Sequence, residues 1–265
     1  MSRQLAFYQW ICRRLQRDEP FSGQPSADLD SLRTVIKPCD VLLVAGHSNV
    51  DRTFKVIGDS RFARAVLYIG RLHDVADPAL RALLADYTPC EPDTQLVIDA
   101  RLERGLIVEP LSALEGRQIR VCRAQGLSDN EAQDVLRYAI SRIGAGGSQS
   151  WAALALLTLM PWRWLPLRWR LNIFRRWAGE LVRALTGTVV ADAFSFVQFP
   201  VLPLVKEDRA GSRLLRLQPR AITAADFDHS PYFEIIKAPF QLTEIPRGMD
   251  AVPWKGNQGA LAPER

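Results

Sequence analysis

The sequence predicts an α+β protein, a mainly antiparallel sheet with flanking helices. Two observations carry that expectation. Five short runs rich in Val, Ile and Leu follow one another, each bounded by Gly, Pro or Asp: DVLLVA (40–45), RAVLYIG (64–70), TQLVIDA (94–100), GLIVEPL (105–111) and QIRVCRA (118–124). That is how strands read. Apolar spacing of helical period lies mainly before and after this series. Composition agrees: 265 residues, 48% hydrophobic and 24% charged, can bury a sizeable core, which excludes disordered, collagen-like and disulfide-scaffold classes.

The elements follow in chain order. Residues 4–17 set Leu5, Phe7, Trp10, Ile11 and Leu15 at loosely helical spacing beside Arg13, Arg14 and Arg17, and the turn-rich 18–31 reads as a connector. Residues 1–31 are therefore expected to be an amphipathic helix and its linker. Two helical segments, 50–57 and 78–87, interrupt the strands. Ser128 and Glu131 make a capping box that opens an amphipathic helix to about Ile143, which AGG at 145–147 stops. A further helix is expected over 187–199, then strands at 213–218 and 232–238. The domain is expected over 32–240, with 151–183 as a helical insertion and 241–265 as a Pro/Gly-rich, loosely held tail.

Charge and reactive side chains bound the function. Net charge is +5, and five Lys among 34 basic residues leave 29 Arg. Arg favours bidentate phosphate or carboxylate pairing and stacking on aromatic faces. Cys12, Cys39, Cys90 and Cys122 show no CxxC pairing and no His at metal spacing, so neither a metal nor a cofactor is expected. Cys39 and His47 bracket a strand, too far apart to act as a dyad. His73 reads as solvated and His229 as a local cap.

Residues 151–183 carry five of the seven tryptophans, interleaved with Arg163, Arg168, Arg170, Arg175, Arg176 and Arg183. The apolar run before Pro161 is too short to span a bilayer. Trp alternating with Arg suits an interfacial surface, and Trp162, Trp164, Arg168, Trp169, Arg175 and Arg176 are its candidate residues, for a membrane or a protein partner. The bland alternative packs the tryptophans onto the sheet and leaves the arginines outside. Nucleic acid is disfavoured, because Arg alternates with Trp and Leu and no nucleic-acid motif is present.

Six segments, in order, resemble the permuted papain-like cysteine hydrolases of the bacterial YiiX group, within the NlpC-like superfamily. They are IKPCDVLLVAG (36–46), where the family reads Pro-Gly-Asp before a strand; SRFARAVLYIG (60–70), the His-bearing strand; LVIDARLERGLIVEPL (96–111), the acidic strand pair; QIRVCRAQGLS (118–128); TGTVVADAFSFVQFPVLP (186–203), the nucleophile helix; and FDHSPYFEIIKAP (227–239), the closing strand. The resemblance implies a permuted papain-like fold and amidase, peptidase or acyltransferase chemistry. It also implies where that chemistry is lost. The His position holds Arg64, the Cys position holds Thr186 (or Ala191, on a shifted alignment), and only the third polar position is kept, as Asp99.

Those replacements have a direct chemical meaning. Arg stays protonated and accepts no proton. A Thr hydroxyl attacks poorly without a base. The resemblance therefore implies a catalytically degenerate protein, and a residual amidase, esterase or acyltransferase is the competing expectation. The old site has two readings. Arg64 with the helix start at Thr186, Gly187 and Thr188 makes an anion pocket for an anionic or acylated molecule, or Arg64 pairs with Asp99 and fills the site. The expected location is cytoplasmic, at or near the inner membrane surface; the sequence assigns no oligomeric state.

Overall fold

The computed structural model of the chain describes residues 3–15, 29–88, 91–101, 105–144, 160–170, 172–173, 187–202, 205–208, 211–214 and 222–237. Their centre is a six-stranded antiparallel sheet of β1 (Val41–Val44), β2 (Arg64–Gly70), β3 (Leu96–Arg101), β4 (Gly105–Pro110), β5 (Ile119–Ala124) and β8 (Phe233–Lys237), in the order β4-β3-β2-β1-β5-β8. β6 (Val205–Asp208) and β7 (Gly211–Leu214) form a separate hairpin. The helices are α1 (Arg3–Leu15), α2 (Leu29–Val35), α3 (Asn49–Gly58), α4 (Pro78–Tyr87), α5 (Asp129–Ser141), α6 (Thr188–Phe196) and α7 (Ala224–Asp228).

The strands read as continuous apolar runs because the sheet is covered on both faces. β1 and β2 are buried along their whole length. Alternation sends Ala65, Leu67 and Ile69 into one core with Leu84 of α4, Leu136 and Ile140 of α5, and Phe194 of α6. Val66 and Tyr68 go to the opposite core, with Leu29 and Leu32 of α2 and with Leu111 and Leu114 of a 3-10 turn. A third, smaller core joins Tyr8 and Cys12 of α1 to Val50, Phe54 and Ile57 of α3 and to Trp162.

Local chemistry sets the element ends. The box at α5 forms as its spacing predicts: Ser128 Oγ accepts the Glu131 N–H, and Glu131 accepts the Ser128 N–H at 2.9 Å. α3 starts on a second box, from Ser48 and Asp51. Before β1, Lys37–Asp40 is a turn closed by Asp40 N–H donating to Lys37 O at 3.0 Å, with Pro38 second and Cys39 at φ 74° third. This is type II geometry, whose third residue is ordinarily Gly. Cys39 holds it at the place where the resembled family reads Gly.

Two expectations change. Residues 29–31 belong to α2, not to a connector, because Leu29 and Leu32 cover the sheet face opposite α4–α6. Within 151–183, the described part is not one helix: Pro161 leads into a 3-10 turn, Trp162–Trp164, and residues 167–170 are helical after Pro166. The tail 241–265 lies outside the described residues.

Candidate functional site

Arg64 opens β2, and its register opposite Val44 sets it at the end of β1. The Leu67–Ile98 pairing of β2 with β3, carried one step toward the start of β2, brings Asp99 to the same end of the sheet. The guanidinium Nη1 donates to Asp99 Oδ2. Its Nε lies 3.3 Å from Asp51 Oδ1, an ion-pair distance without hydrogen-bond alignment. All three residues are buried, Arg64 at 5% exposure.

Each carboxylate is held a second time. Asp99 Oδ1 accepts the Ala100 N–H at 2.8 Å. Asp51 Oδ2 accepts from the Ser48 hydroxyl at 2.7 Å and the Ser48 N–H at 3.2 Å, so one side chain both caps α3 and faces Arg64. Gly46 makes the approach feasible, since a β-carbon there would stand 2.0 Å from Asp51 Oδ2. Sequence reasoning missed Asp51, although Ser48-x-x-Asp51 has capping spacing.

Among the described residues Arg64 is bound to Asp99 and faces Asp51, so the ion-pair alternative is the arrangement present there. The start of α6 agrees. A β-carbon on Gly187 would stand 2.6 Å from Phe227 Cε2 and 2.9 Å from Ala65 Cβ, so hydrocarbon closes over this helix end. Thr188 is fully buried. Gly187 and Thr188 thus pack against β2 rather than lining an open pocket; Thr186 lies outside the described residues.

Among the described residues no other nucleophile–base pair takes over. Burial pushes the Cys39 thiol up, helped by Asp40, and pushes Cys122 up to about 12, helped by Asp228. Such thiols are poor thiolates at neutral pH. His229 Nδ1 lies 2.8 Å from Ala225 O, the local capping its sequence context suggests. His73 faces Asp74 at 3.7 Å on the surface. Cys90 lies outside the described residues.

The tryptophans divide. Trp162 is 4% exposed and seated in the core shared by α1 and α3, which corrects its assignment to an outer surface: the 3-10 turn aims its indole inward. Trp164 is 89% exposed and Trp169 63%, and Arg163 and Arg168 beside them are exposed as well. On α1, Phe7 and Trp10 are exposed and stacked on each other with ring centroids 6.0 Å apart. Arg175 and Arg176 lie outside the described residues. Among the described residues no helix is long and apolar enough to cross a membrane.

Two clefts that sequence reasoning did not find adjoin these tryptophans. One, of about 450 Å³, is lined by Lys55, Asp59, Ser60, Arg61, Arg163 and Arg170. The other, of about 330 Å³, runs between Val56, Met160, Pro161, Trp162 and Trp164 and shares Val56 and Arg163 with the first. Arg163 and Arg170 were visible in the sequence as members of the Trp/Arg stretch, but their meeting with the C-terminal end of α3 is a tertiary fact. Neither a scan against protein-family models nor a search of curated proteins finds a match to this chain.

Proposed function

We propose that the chain is a catalytically degenerate protein of the permuted papain-like, YiiX-type class, acting as a peripheral membrane-binding module rather than a hydrolase. The observation that carries the membrane half is the split within one short segment. Trp162 anchors it in a core while Trp164 and Trp169 stand out into solvent between exposed arginines. Indole and guanidinium side by side at a surface suit the lipid headgroup layer, where an amphipathic ring and a snorkelling cation are both favourable. The stacked Phe7–Trp10 pair comes from a helix seated in the same small core.

The degenerate half rests on chemistry. Arg64 is buried between Asp51 and Asp99, where a general base would have to exchange protons. Two structural features support the family reading: the Arg64–Asp99 pairing at one end of β2 and β3, and the left-handed Cys39 in Pro38-Cys39-Asp40.

Co-sedimentation with vesicles tests the membrane half. Trp164→Ala/Trp169→Ala is expected to lose most of the bound fraction while unfolding normally. Equal sedimentation of wild type and double variant would sink the reading, and a specific protein captured equally by both would direct it elsewhere. An acyl-ester and acyl-amide hydrolysis assay tests the other half: wild type is expected to be inactive. Turnover by the wild-type chain would favour a residual amidase, esterase or acyltransferase instead.

A further inference from the structure

The anionic ligand expected at Arg64 has a better-built location. Lys55 and Arg163 face the larger cleft, and neither makes an ion pair with a carboxylate among the described residues. Arg170 is positioned for a structural task. It donates through Nη1 to Val56 O at the C-terminal end of α3, and its Nη2 lies 3.9 Å from Asp59. That matters electrostatically. A helix C-terminus carries partial negative charge, which would repel an anion, and a guanidinium over the last carbonyls offsets it. With Arg170 so placed and only Asp59 contributing a carboxylate, the lining stays cationic overall. Asp59 itself is an exposed left-handed cap of α3.

The adjoining cleft supplies the complementary half. Its walls are Val56, Met160, Pro161, Trp162 and Trp164, with Arg52, Thr53 and Arg163 completing the lining. A cationic cleft opening onto an apolar, Trp-walled one, beside Trp164 at 89% exposure, matches a phosphate joined to a hydrocarbon-bearing alcohol.

We propose that this double cleft between α3 and residues 160–170 binds the phosphate of an anionic phospholipid headgroup. Lys55 and Arg163 contact the phosphate, Arg170 holds the wall, and Val56, Met160 and Trp164 receive the glycerol and first acyl carbons. The proposal rests on the membrane-binding reading and adds headgroup selectivity to it.

The test measures binding of the full chain to phosphatidylcholine vesicles with and without one-third phosphatidic acid. Arg163→Gln and Lys55→Gln/Arg163→Gln are compared with Arg137→Gln/Arg142→Gln, which removes as much charge as the double cleft variant, from α5 and its C-cap. Wild type and the α5 variant should prefer the anionic vesicles, and the double cleft variant should bind them roughly tenfold or more weakly. Dihexanoyl phosphatidic acid, read by tryptophan fluorescence, should bind the wild type more tightly than inorganic phosphate does. If both double variants weaken binding alike, the effect is general charge and the cleft is overturned while membrane binding stands. Inorganic phosphate binding as well as the short-chain lipid would overturn the lipid source. Failure to bind any vesicle would overturn both readings.

Discussion

Arg64 and Asp99 are joined by a hydrogen-bonded ion pair across β2 and β3, with side chains 7% and 1% exposed. Such a pair is costly to bury and costlier to break, because removing one partner strands the other. Here two carboxylates face one guanidinium. Arg64→Met should therefore destabilise the fold by about 3–5 kcal/mol. Arg64→Met/Asp99→Asn should recover part of that, with a coupling of at least about 1 kcal/mol in urea denaturation. Additivity of the two single substitutions would show that the pair is not energetically linked.

Trp162 and Trp164 differ by two residues and should answer opposite assays. Trp162→Ala empties the core beneath α1 and should cost about 3–5 kcal/mol. Trp164→Ala removes an exposed ring and should shift stability by no more than about 0.5 kcal/mol, while reducing sedimentation with anionic vesicles. A Trp164→Ala protein that melts early, or one that binds vesicles undiminished, would contradict the division of roles.

Cys39 occupies a position that suits Gly. At φ 74° any Cβ meets backbone strain, and a β-branched one meets most. Cys39→Gly trades that strain against a small buried thiol and should stay within about 1 kcal/mol of wild type, whereas Cys39→Val should lose more than about 2 kcal/mol. Equal stabilities of the two variants by thermal melting would argue that the turn adopts another geometry.

Alkaline pH should destabilise the fold through buried acids. Burial pushes the Cys122 thiol from 9.0 to about 12 and the Tyr68 phenol from 10.0 to about 12. Both protonated forms are favoured in the folded state, so their contribution is complete below the unfolded values and is lost as pH rises through the folded ones. Stability should fall between about pH 9 and 12, each group contributing at most about 1.4 kcal/mol per unit. Cys122→Ala should flatten the slope in denaturation midpoints from about pH 9 to 11. An unchanged slope would remove Cys122 from the account.

Much of the sheet was legible because each strand announces itself locally. RAVLYIG is β2 over its full length, and the Ser128–Glu131 box marked the start of α5. α2 was not legible, since LDSLRTV is short and its leucines find a reason only in the sheet face they cover. Arg64 and Asp99 could be named from sequence as either ion pair or anion site, and only register and burial decide between those. Asp51 and the cleft at the end of α3 were invisible for a common reason: each depends on segments remote in sequence meeting through tertiary packing. Trp162 looked like its neighbours because composition does not tell inward from outward in a turn with no sustained helical period.

The small core under α1 has a thermodynamic consequence of its own. Among the described residues it shares no buried residue with the two cores that clamp the sheet, and it joins α1 and α3 to Trp162 and to Ala63, the residue before β2. A unit so bounded is expected to open at a lower free energy than the whole molecule, which amide hydrogen exchange of α1 against the six strands would read. The surface proposed to face lipid is thus mounted on a core separate from the two that clamp the sheet, and it is tied to β2 through Ala63 and the Asp51–Arg64 ion pair.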